Sequence, residues 1–307
     1  MQNAESKTKA GGPGFGVRDP EIRTRKAHSS SLIMPIQNLR VMTYNIHHGR
    51  GLDGRVDIPR IAGVIMDARP DLVALQEVDC GVGRSGGIDT MEVLSELTGM
   101  SSAFGKNLDY DGGEYGNGIL SRLPIVKTGN LHYRMIHAEE QRGLLHAVVE
   151  ANDTKLVFMS THIDYRPDDT ERLMNVDEIV ATAEAYAALP VVVCGDFNAV
   201  PESRTIERMA RRFLDVWLSA SGHQPPATSH ESKDVPNSLF NPQSAIRNPQ
   251  SEGTFPAVNA AKRIDYIFLS KPHQDAQTPR LEAVSAWVVH SDASDHLPVV
   301  AELQLVS

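Results

Sequence analysis

The sequence predicts an α/β fold in which helices cover the faces of β-sheets. Short apolar runs typical of buried strands recur along the chain, and amphipathic segments with helix-capping residues lie between several of them. Strands that are mixed with helices in this way imply sheets covered by helices. Because the runs continue from residue 39 to residue 305 of a 307-residue chain, we predict one large domain.

Four helices are predicted from apolar stripes and from residues that favour helix ends. Residues 58–67 follow Asp57, a suitable N-cap, and residues 90–97 lie between Asp89, another N-cap, and Gly99, which can end a helix. The two later helices are a long one that a proline stops and a short one, at residues 170–189 and 203–211.

The predicted strands are apolar runs of four to seven residues, many of which lead directly into a polar residue or a glycine. They occupy residues 39–45, 72–77, 118–121, 144–150, 155–161, 191–195, 264–269, 284–289 and 299–305.

Two segments lack this patterning. Residues 1–38 are polar, with seven basic and three acidic side chains within residues 1–40, and we predict a disordered basic tail followed by one catalytic domain over residues 39–305. Residues 222–260 hold six of the 18 prolines, and Asn-Pro-Gln-Ser occurs twice in them. We predict a low-complexity loop insertion there that is disordered and dispensable for chemistry.

Composition narrows the function classes. A net charge of −9 argues against tight, sequence-independent binding of long nucleic acid. The two cysteines, Cys80 and Cys194, lie in apolar runs and exclude a disulfide framework. No run approaches the ~20 apolar residues of a membrane span, and no signal peptide is recognisable. A cytoplasmic protein is therefore expected.

Polar side chains at the ends of predicted strands are the candidate site residues. Glu77 ends a continuous apolar run, where a carboxylate is costly unless it binds a cation or a base. Asn45 ends the first strand, and its amide oxygen can ligate Mg²⁺ or orient a water ligand. Taken alone, Glu77 could instead pair with an arginine, and Asn45 could simply form a turn.

A second set lies in the carboxy-terminal half. Asp196 and Asn198 follow the strand at 191–195, and they suit the orientation of an attacking water and the binding of a phosphoryl oxygen. Asp265 and His296 suit a carboxylate–histidine pair, which leaves Asp295 free to contact a metal. Asp196 and His296 can exchange the roles of general base and general acid, so both assignments stay open.

Other polar residues are candidates for phosphate or substrate binding. His162 ends a strand and could protonate the leaving oxygen or bind phosphate, and Arg142 offers a bidentate fork for phosphate. Asn117 lies between glycines that allow a ligand to approach the backbone closely. Arg84 is a further candidate substrate contact, and His47 and His48 carry no assigned role.

These motifs, in this order, resemble those of the endonuclease/exonuclease/phosphatase superfamily of metal-dependent phosphoesterases over residues 39–305. The resemblance implies a four-layer α/β sandwich, in which two mixed β-sheets pack face to face with helices on both outer sides. By the same resemblance, Asn45, Glu77 and Asp295 are metal positions for Mg²⁺ or Mn²⁺, Asp196 and Asn198 handle water and phosphate, Asp265 and His296 form a dyad, and His162 matches the second histidine of the deoxyribonuclease and sphingomyelinase branches.

The predicted function is therefore divalent-metal-dependent hydrolysis of a phosphoester, mono or di, by in-line attack of an activated water. A small molecule or a lipid head group is the favoured substrate. Two alternatives remain: a DNA or RNA nuclease that uses the same site, and a catalytically silent binding scaffold. The scaffold is disfavoured because such proteins usually lose ligands, whereas every matched position is filled here.

Overall fold

A computed structural model describes residues 22–26, 38–151, 154–220, 253–271 and 279–306. Its strands are β1 Ile22–Arg25, β2 Asn38–Asn45, β3 Leu72–Cys80, β4 Ser101–Tyr110, β5 Gly113–Ser121, β6 Ile125–His132, β7 Gly143–Ala151, β8 Thr154–His162, β9 Val191–Asp196, β10 Phe213–Asp215, β11 Asp265–Ser270, β12 Arg280–Val288 and β13 Val299–Val306. Its α-helices are α1 Ile58–Ala68, α2 Thr90–Thr98, α3 Thr170–Glu184, α4 Arg204–Ala210 and α5 Val216–Ser219.

The strands form two mixed sheets. The seven-stranded sheet has the order β1-β4-β5-β3-β2-β13-β12, and the six-stranded sheet has the order β10-β11-β9-β8-β7-β6. Each sheet has a parallel pair near its centre, β2 with β3 in the first and β8 with β9 in the second. In each parallel pair the two carboxyl ends lie side by side, and the polar residues at these ends include candidate site residues.

Three apolar clusters show that the sheets and helices form four layers. One cluster joins the facing sides of the two sheets and includes Ala74 and Phe158. A second packs α1 and α2 on the outer side of the seven-stranded sheet, for example through Ile61. A third packs α3 and α4 on the outer side of the six-stranded sheet, through Val176 and Met209. The expected four-layer α/β sandwich is confirmed.

The helix-end signals work as predicted at two helices. Asp57 accepts a hydrogen bond from the Arg60 amide at 2.9 Å, and Asp89 accepts one from the Glu92 amide at 3.0 Å. Gly99 ends α2 with a φ of 67°, which glycine adopts without steric cost. Helix α3 is shorter than predicted, because the chain leaves regular helix after Glu184 and continues in turns.

Four strands of the structure were not predicted, namely β1, β4, β6 and β10. Strand β1 corrects the prediction that residues 1–38 are wholly disordered, because it pairs antiparallel with β4 at the edge of the seven-stranded sheet. Strands β1, β4 and β6 contain many polar residues or glycines, so their pairing partners rather than an apolar pattern specify them, and β10 has only three residues. The other residues of the predicted tail, except 26 and 38, lie outside the described part.

The last residues of the predicted insertion, 253–260, belong to the described structure. Residues 221–252 lie outside the described residues, whereas Thr254 and Phe255 hydrogen-bond through their backbones to Lys262. The Leu297 amide donates to the Thr254 carbonyl at 2.8 Å, which attaches this stretch to the loop before β13. Residues 253–260 are therefore part of the folded domain. Both cysteines are free and buried, as predicted.

A half-buried histidine on β7, His146, should make stability depend on pH. Burial, followed by the nearby charge of Lys127, lowers the pKa of His146 from 6.5 to about 4. Its Nε2 lies 3.1 Å from the Tyr186 hydroxyl, and its Nδ1 is buried without a partner among the described residues. The unfolded chain therefore binds more protons than the native state between these two pKa values, and stability falls as the pH drops through this window.

We expect this histidine to cost about 3 kcal/mol of unfolding free energy between pH 7 and pH 4. The measurement is urea unfolding of the wild type and of His146→Gln at several pH values. The stability difference between the two proteins should change by that amount in favour of the variant at low pH. A difference that is flat with pH would contradict the assignment of a half-buried neutral imidazole.

Candidate active site

The predicted site residues gather at one edge of the sandwich because the two parallel strand pairs end there. Strands β2 and β3 carry their polar residues from the seven-stranded sheet, and β8 and β9 carry theirs from the six-stranded sheet. Strand β11 runs antiparallel to β9, so its first residue, Asp265, pairs with the last residue of β9, Asp196. The loop between β12 and β13 adds Asp295 and His296.

Asp196 lies at the centre of the arrangement and is almost completely buried. Its Oδ2 accepts a hydrogen bond from Asn45 Nδ2 at 3.1 Å and lies 3.4 Å from His162 Nε2 and 3.6 Å from His296 Nε2. Its Oδ1 accepts the backbone amide of Asn198 at 2.9 Å. One carboxylate thus contacts two imidazoles and two amide donors.

His296 and Asp265 form the predicted dyad, with 2.9 Å between Nδ1 and Oδ2. Burial opposes a charge on His296, but Asp265 and then Asp196 outweigh it and raise the pKa of His296 to about 10. Burial, followed by repulsion from Asp265, raises the pKa of Asp196 to about 7. At neutral pH the site therefore combines a protonated imidazole with a carboxyl group poised to exchange a proton.

The second histidine has the opposite character. Burial, followed by the charge of Arg142, lowers the pKa of His162 well below its ordinary value. Arg142 NH1 lies 2.8 Å from His162 Nδ1, and a guanidinium only donates, so this nitrogen accepts and the ring proton belongs on Nε2. The Nε2–H group faces Asp196 Oδ2 at 3.4 Å. Asn198 Nδ2 lies 3.1 Å from this Nε2, but as a donor it hydrogen-bonds to the Ile163 carbonyl at 3.1 Å instead. Arg142 and Asp196 thus hold His162 from both sides, with the Asn198 amide beside its ring.

Glu77 owes its position to an irregularity in β3. Between Leu75, which pairs with Gly118, and Val78, which pairs with Gly116, two residues face only Asn117. This β-bulge re-aims the Glu77 side chain, and Glu77 itself adopts a φ of 58°. Left-handed φ values for non-glycine residues cluster at functional sites, where surrounding structure holds the strain. His47, His48 and Asn198 share this property, with φ values of 45°, 47° and 45°.

Asn45 joins the two halves of the site. Its Nδ2 donates to Glu77 Oε1 at 3.0 Å as well as to Asp196, and its Oδ1 accepts the His47 amide at 3.1 Å. These contacts give Asn45 the position of an orienting residue, and its predicted role as a direct metal ligand stays a prediction. Asp295, the third predicted metal position, lies 3.4 Å from His47 Nδ1.

The residues around Glu77 fit a divalent cation. Within the described residues, no lysine or arginine forms an ion pair with this half-buried carboxylate. Ligand atoms of Glu77, His47 and His48 lie within 4.8 Å of one another. Burial, followed by the charges of Arg84 and His47, lowers the pKa of His48 to about 4, so this ring is neutral at pH 7. A hard carboxylate oxygen with imidazole nitrogens is a recognised metal-binding set.

Two predicted substrate contacts are occupied by the protein itself. Asn117 is buried, and its Nδ2 donates to the Gly143 carbonyl at 2.9 Å, while its Oδ1 has no partner in the described structure. Arg84 donates to both carboxylate oxygens of Asp79 at 2.9 and 2.8 Å. The guanidinium group of Arg84 is therefore already hydrogen-bonded to Asp79, and the substrate contact expected of Arg84 stays a prediction.

Sequence reasoning missed several residues that support the site. Thr254 Oγ1 accepts the backbone amide of Asp265 at 3.2 Å, and the Phe255 ring lies 4.7 Å from the His296 ring, centroid to centroid. Thr254 and Phe255 therefore lie beside the site, and the predicted dispensability of 222–260 for chemistry stays a prediction. The prolines and the short repeat around them hid the signal. Ser294 Oγ donates to the Asn45 carbonyl at 2.8 Å and fixes the loop that carries Asp295.

A family model described as the endonuclease/exonuclease/phosphatase family matches residues 42–296. The chain belongs to this family. Members of the endonuclease/exonuclease/phosphatase family are generally hydrolases that act on phosphoesters. The match spans the site from the second strand to His296, so the resemblance that the motifs indicated is confirmed.

Individual relatives share a quarter or less of their residues with this chain. Protein YbhP of Escherichia coli K12 is 25% identical over 282 residues, which cover 87% of this chain and 97% of YbhP. A family member from Beutenbergia cavernae superposes with a TM-score of 0.63 at 23% identity, over 88% of this chain and 72% of that one. The mannosyl-6-phosphatase of Bacteroides thetaiotaomicron has a TM-score of 0.63 at 17% identity, over 88% and 100%. These structures show the shared fold.

None of the helices in the described part of the chain has the length and apolar character needed to traverse a bilayer.

Proposed function

We propose that this protein is a divalent-metal-dependent phosphoester hydrolase in which Asp196 activates the attacking water. One observation carries the proposal: a single buried carboxylate contacts Asn45, His162 and His296 and lies one amide group away from Glu77. A proton acceptor, cationic and neutral imidazoles and the carboxylate proposed to bind the cation are thereby gathered at one edge of the sandwich.

The protonation states support this division of labour. With a pKa of about 7, Asp196 suits a general base near neutral pH, because it can accept a proton from water without being strongly basic. His296 stays protonated, since Asp265 and Asp196 hold its pKa near 10, and its charged ring is suited to stabilise oxygen that becomes more negative. Arg142, buried beside His162, adds a second fixed positive charge.

The cation is proposed to bind at Glu77, with Asn45 and Asp295 near it, and Mg²⁺ or Mn²⁺ is expected. When bound, it would neutralise phosphoryl charge and stabilise the leaving oxygen. Asn45 would hold Glu77 and Asp196 at a fixed separation through its two hydrogen bonds. Asn198, whose amide reaches both His162 and the Ile163 carbonyl, would present an oriented donor to the substrate.

We favour a small phosphoester, including a phosphosugar or a lipid head group, as the substrate. The net charge of −9 disfavours a long polyanion, and the fold is shared with a mannosyl-6-phosphatase. One observation favours a nuclease instead. Tyr165, 53% exposed, lies beside the guanidinium groups of Arg142 and Arg166, each 5.7 Å from its ring, and such a surface can stack a base.

The test is a substrate panel assayed with Mg²⁺, Mn²⁺ or EDTA: bis-p-nitrophenyl phosphate, p-nitrophenyl phosphate, mannose 6-phosphate, sphingomyelin and plasmid DNA. We expect metal-dependent hydrolysis of at least one phosphoester, lost in Glu77→Gln by about 10²-fold or more at a fixed metal concentration. Glu207→Gln is the matched control, because among the described residues Glu207 forms an ion pair with Arg211 alone, on an exposed face.

Hydrolysis that survives both EDTA and Glu77→Gln would contradict the proposal. Preference for plasmid DNA, with an affinity that falls steeply as salt rises, would select the nuclease alternative. The absence of hydrolysis across a broad phosphoester panel, despite metal binding, would instead favour the silent scaffold.

A further inference from the structure

A tight turn after β2 places two imidazoles beside Glu77. His47–Gly49 forms a 3-10 turn, closed by the Gly49 amide on the Ile46 carbonyl at 2.7 Å and the Arg50 amide on the His47 carbonyl at 2.8 Å. Gly49 has a φ of 86°, and a Cβ atom there would lie 2.3 Å from Ile58 Cδ1. Packing against α1 therefore requires glycine and fixes the turn, and with it both histidines.

The two rings each bring a ligand atom close to Glu77. Their centroids are 4.6 Å apart at an interplanar angle of 78°, and one ligand atom of each lies within 4.8 Å of the others and of a Glu77 oxygen. His48 is 7% exposed, and its Nδ1 is buried with no hydrogen-bond partner in the described structure. A buried polar atom without a partner indicates a missing ligand or ion.

His47 is oriented from the opposite side. Asp295 Oδ1 lies 3.4 Å from His47 Nδ1, and the His47 amide donates to Asn45 Oδ1. Carboxylates that contact an imidazole in this way orient metal-bound histidines. The described structure has a second group with similar spacing, Asp196, Asp265 and His296, but its imidazole is already hydrogen-bonded to Asp265 and charged.

We propose that His47 and His48 are nitrogen ligands of the cation at Glu77, so that the site selects a first-row transition dication over Mg²⁺. This inference deepens the proposed function, on which it rests, because it concerns the cation of the same site. Mg²⁺ prefers oxygen ligands in octahedral geometry, whereas Mn²⁺ and the later dications also accept imidazole. A carboxylate with two imidazoles therefore discriminates by ligand type.

Electron spin echo modulation of the Mn²⁺-loaded protein tests this directly. We expect modulation from ¹⁴N bound to Mn²⁺ in the wild type, and its replacement by the ¹⁵N frequencies when histidine alone is ¹⁵N-labelled. This comparison needs no substitution, so it does not depend on a variant that folds. Mn²⁺ bound without nitrogen modulation, or no bound Mn²⁺ at all, would overturn the inference.

Substitutions assign the nitrogens. In His47→Gln and His48→Gln we expect weaker modulation and an Mn²⁺ affinity that falls about tenfold or more, while Mg²⁺ affinity changes less. His146→Gln is the control, a half-buried histidine on β7 that contacts Tyr186. Unchanged modulation in both variants would overturn the assignment. If the protein hydrolyses phosphoesters but its Mn²⁺ has only oxygen ligands, this inference is wrong and the proposed function stands. If Mn²⁺ is bound by nitrogen but no phosphoester is hydrolysed, the proposed function is wrong and the ligand assignment stands.

Discussion

Replacing Asp196 by asparagine is expected to lower the turnover of any phosphoester substrate by about 10³-fold at pH 7. The amide keeps the volume of the side chain and can still accept the Asn198 backbone amide, but it can no longer take a proton from water. Burial raises the pKa of Asp196 to about 7, so a neutral amide relieves a cost, but it also removes part of the attraction that keeps the buried His296 charged; because these effects oppose each other, we expect only a small change in stability. Steady-state kinetics and thermal unfolding of the same preparation measure both effects.

Asp177→Asn is the matched control for that experiment, since among the described residues Asp177 forms an ion pair with Arg208 alone, on an exposed face. A folded Asp196→Asn protein with turnover within tenfold of wild type would rule out Asp196 as the proton acceptor.

Asp265→Asn is expected to cost on the order of 10³- to 10⁴-fold, although Asp265 acts only through His296. An asparagine cannot hold the imidazole in the same tautomer and does not supply the charge that raises the pKa of His296 to about 10. The pKa of His296 should fall, because Asp265, the carboxylate that raises it most, is replaced by a neutral amide, and Asp196 has a smaller effect. The high-pH limb of the rate profile should therefore move to lower pH.

The pH–rate profile separates positioning from simple structural damage. A variant that is merely destabilised loses activity without any shift of the profile, and denaturant unfolding would reveal the loss. An Asp265→Asn enzyme with wild-type turnover and an unshifted profile would refute the dyad.

The residue pattern predicted sheets covered by helices because both faces of the central strands are buried, whereas the four-layer arrangement was implied by the family resemblance. Strands such as β3 and β9 read as continuous apolar runs, and α1 and α2 carry legible caps. Strands β1 and β4 could not be read in this way, because β1 is an exposed edge strand and β4 contains Gly105 and Lys106. Such strands are specified by their neighbours rather than by their own pattern.

The site divides along similar lines. Strand-end residues such as Glu77 and Asp196 were predicted because a carboxylate after an apolar run is unusual, and the structure brings these two to a common edge. The support from Thr254 and Phe255 was not predicted, since prolines and a short repeat precede this folded segment in the sequence. The arrangement of His47 and His48 depends on left-handed backbone angles that periodicity does not encode.

The hydrogen bonds of Asn45 have one further consequence. This amide ties Glu77, on one sheet, to Asp196, on the other, so catalytic geometry is set by how the two sheets are aligned. A slip of one sheet over the other by about 1 Å would cost on the order of 10²-fold in rate. Turnover should therefore be a more sensitive gauge of the alignment of the sandwich than thermal unfolding.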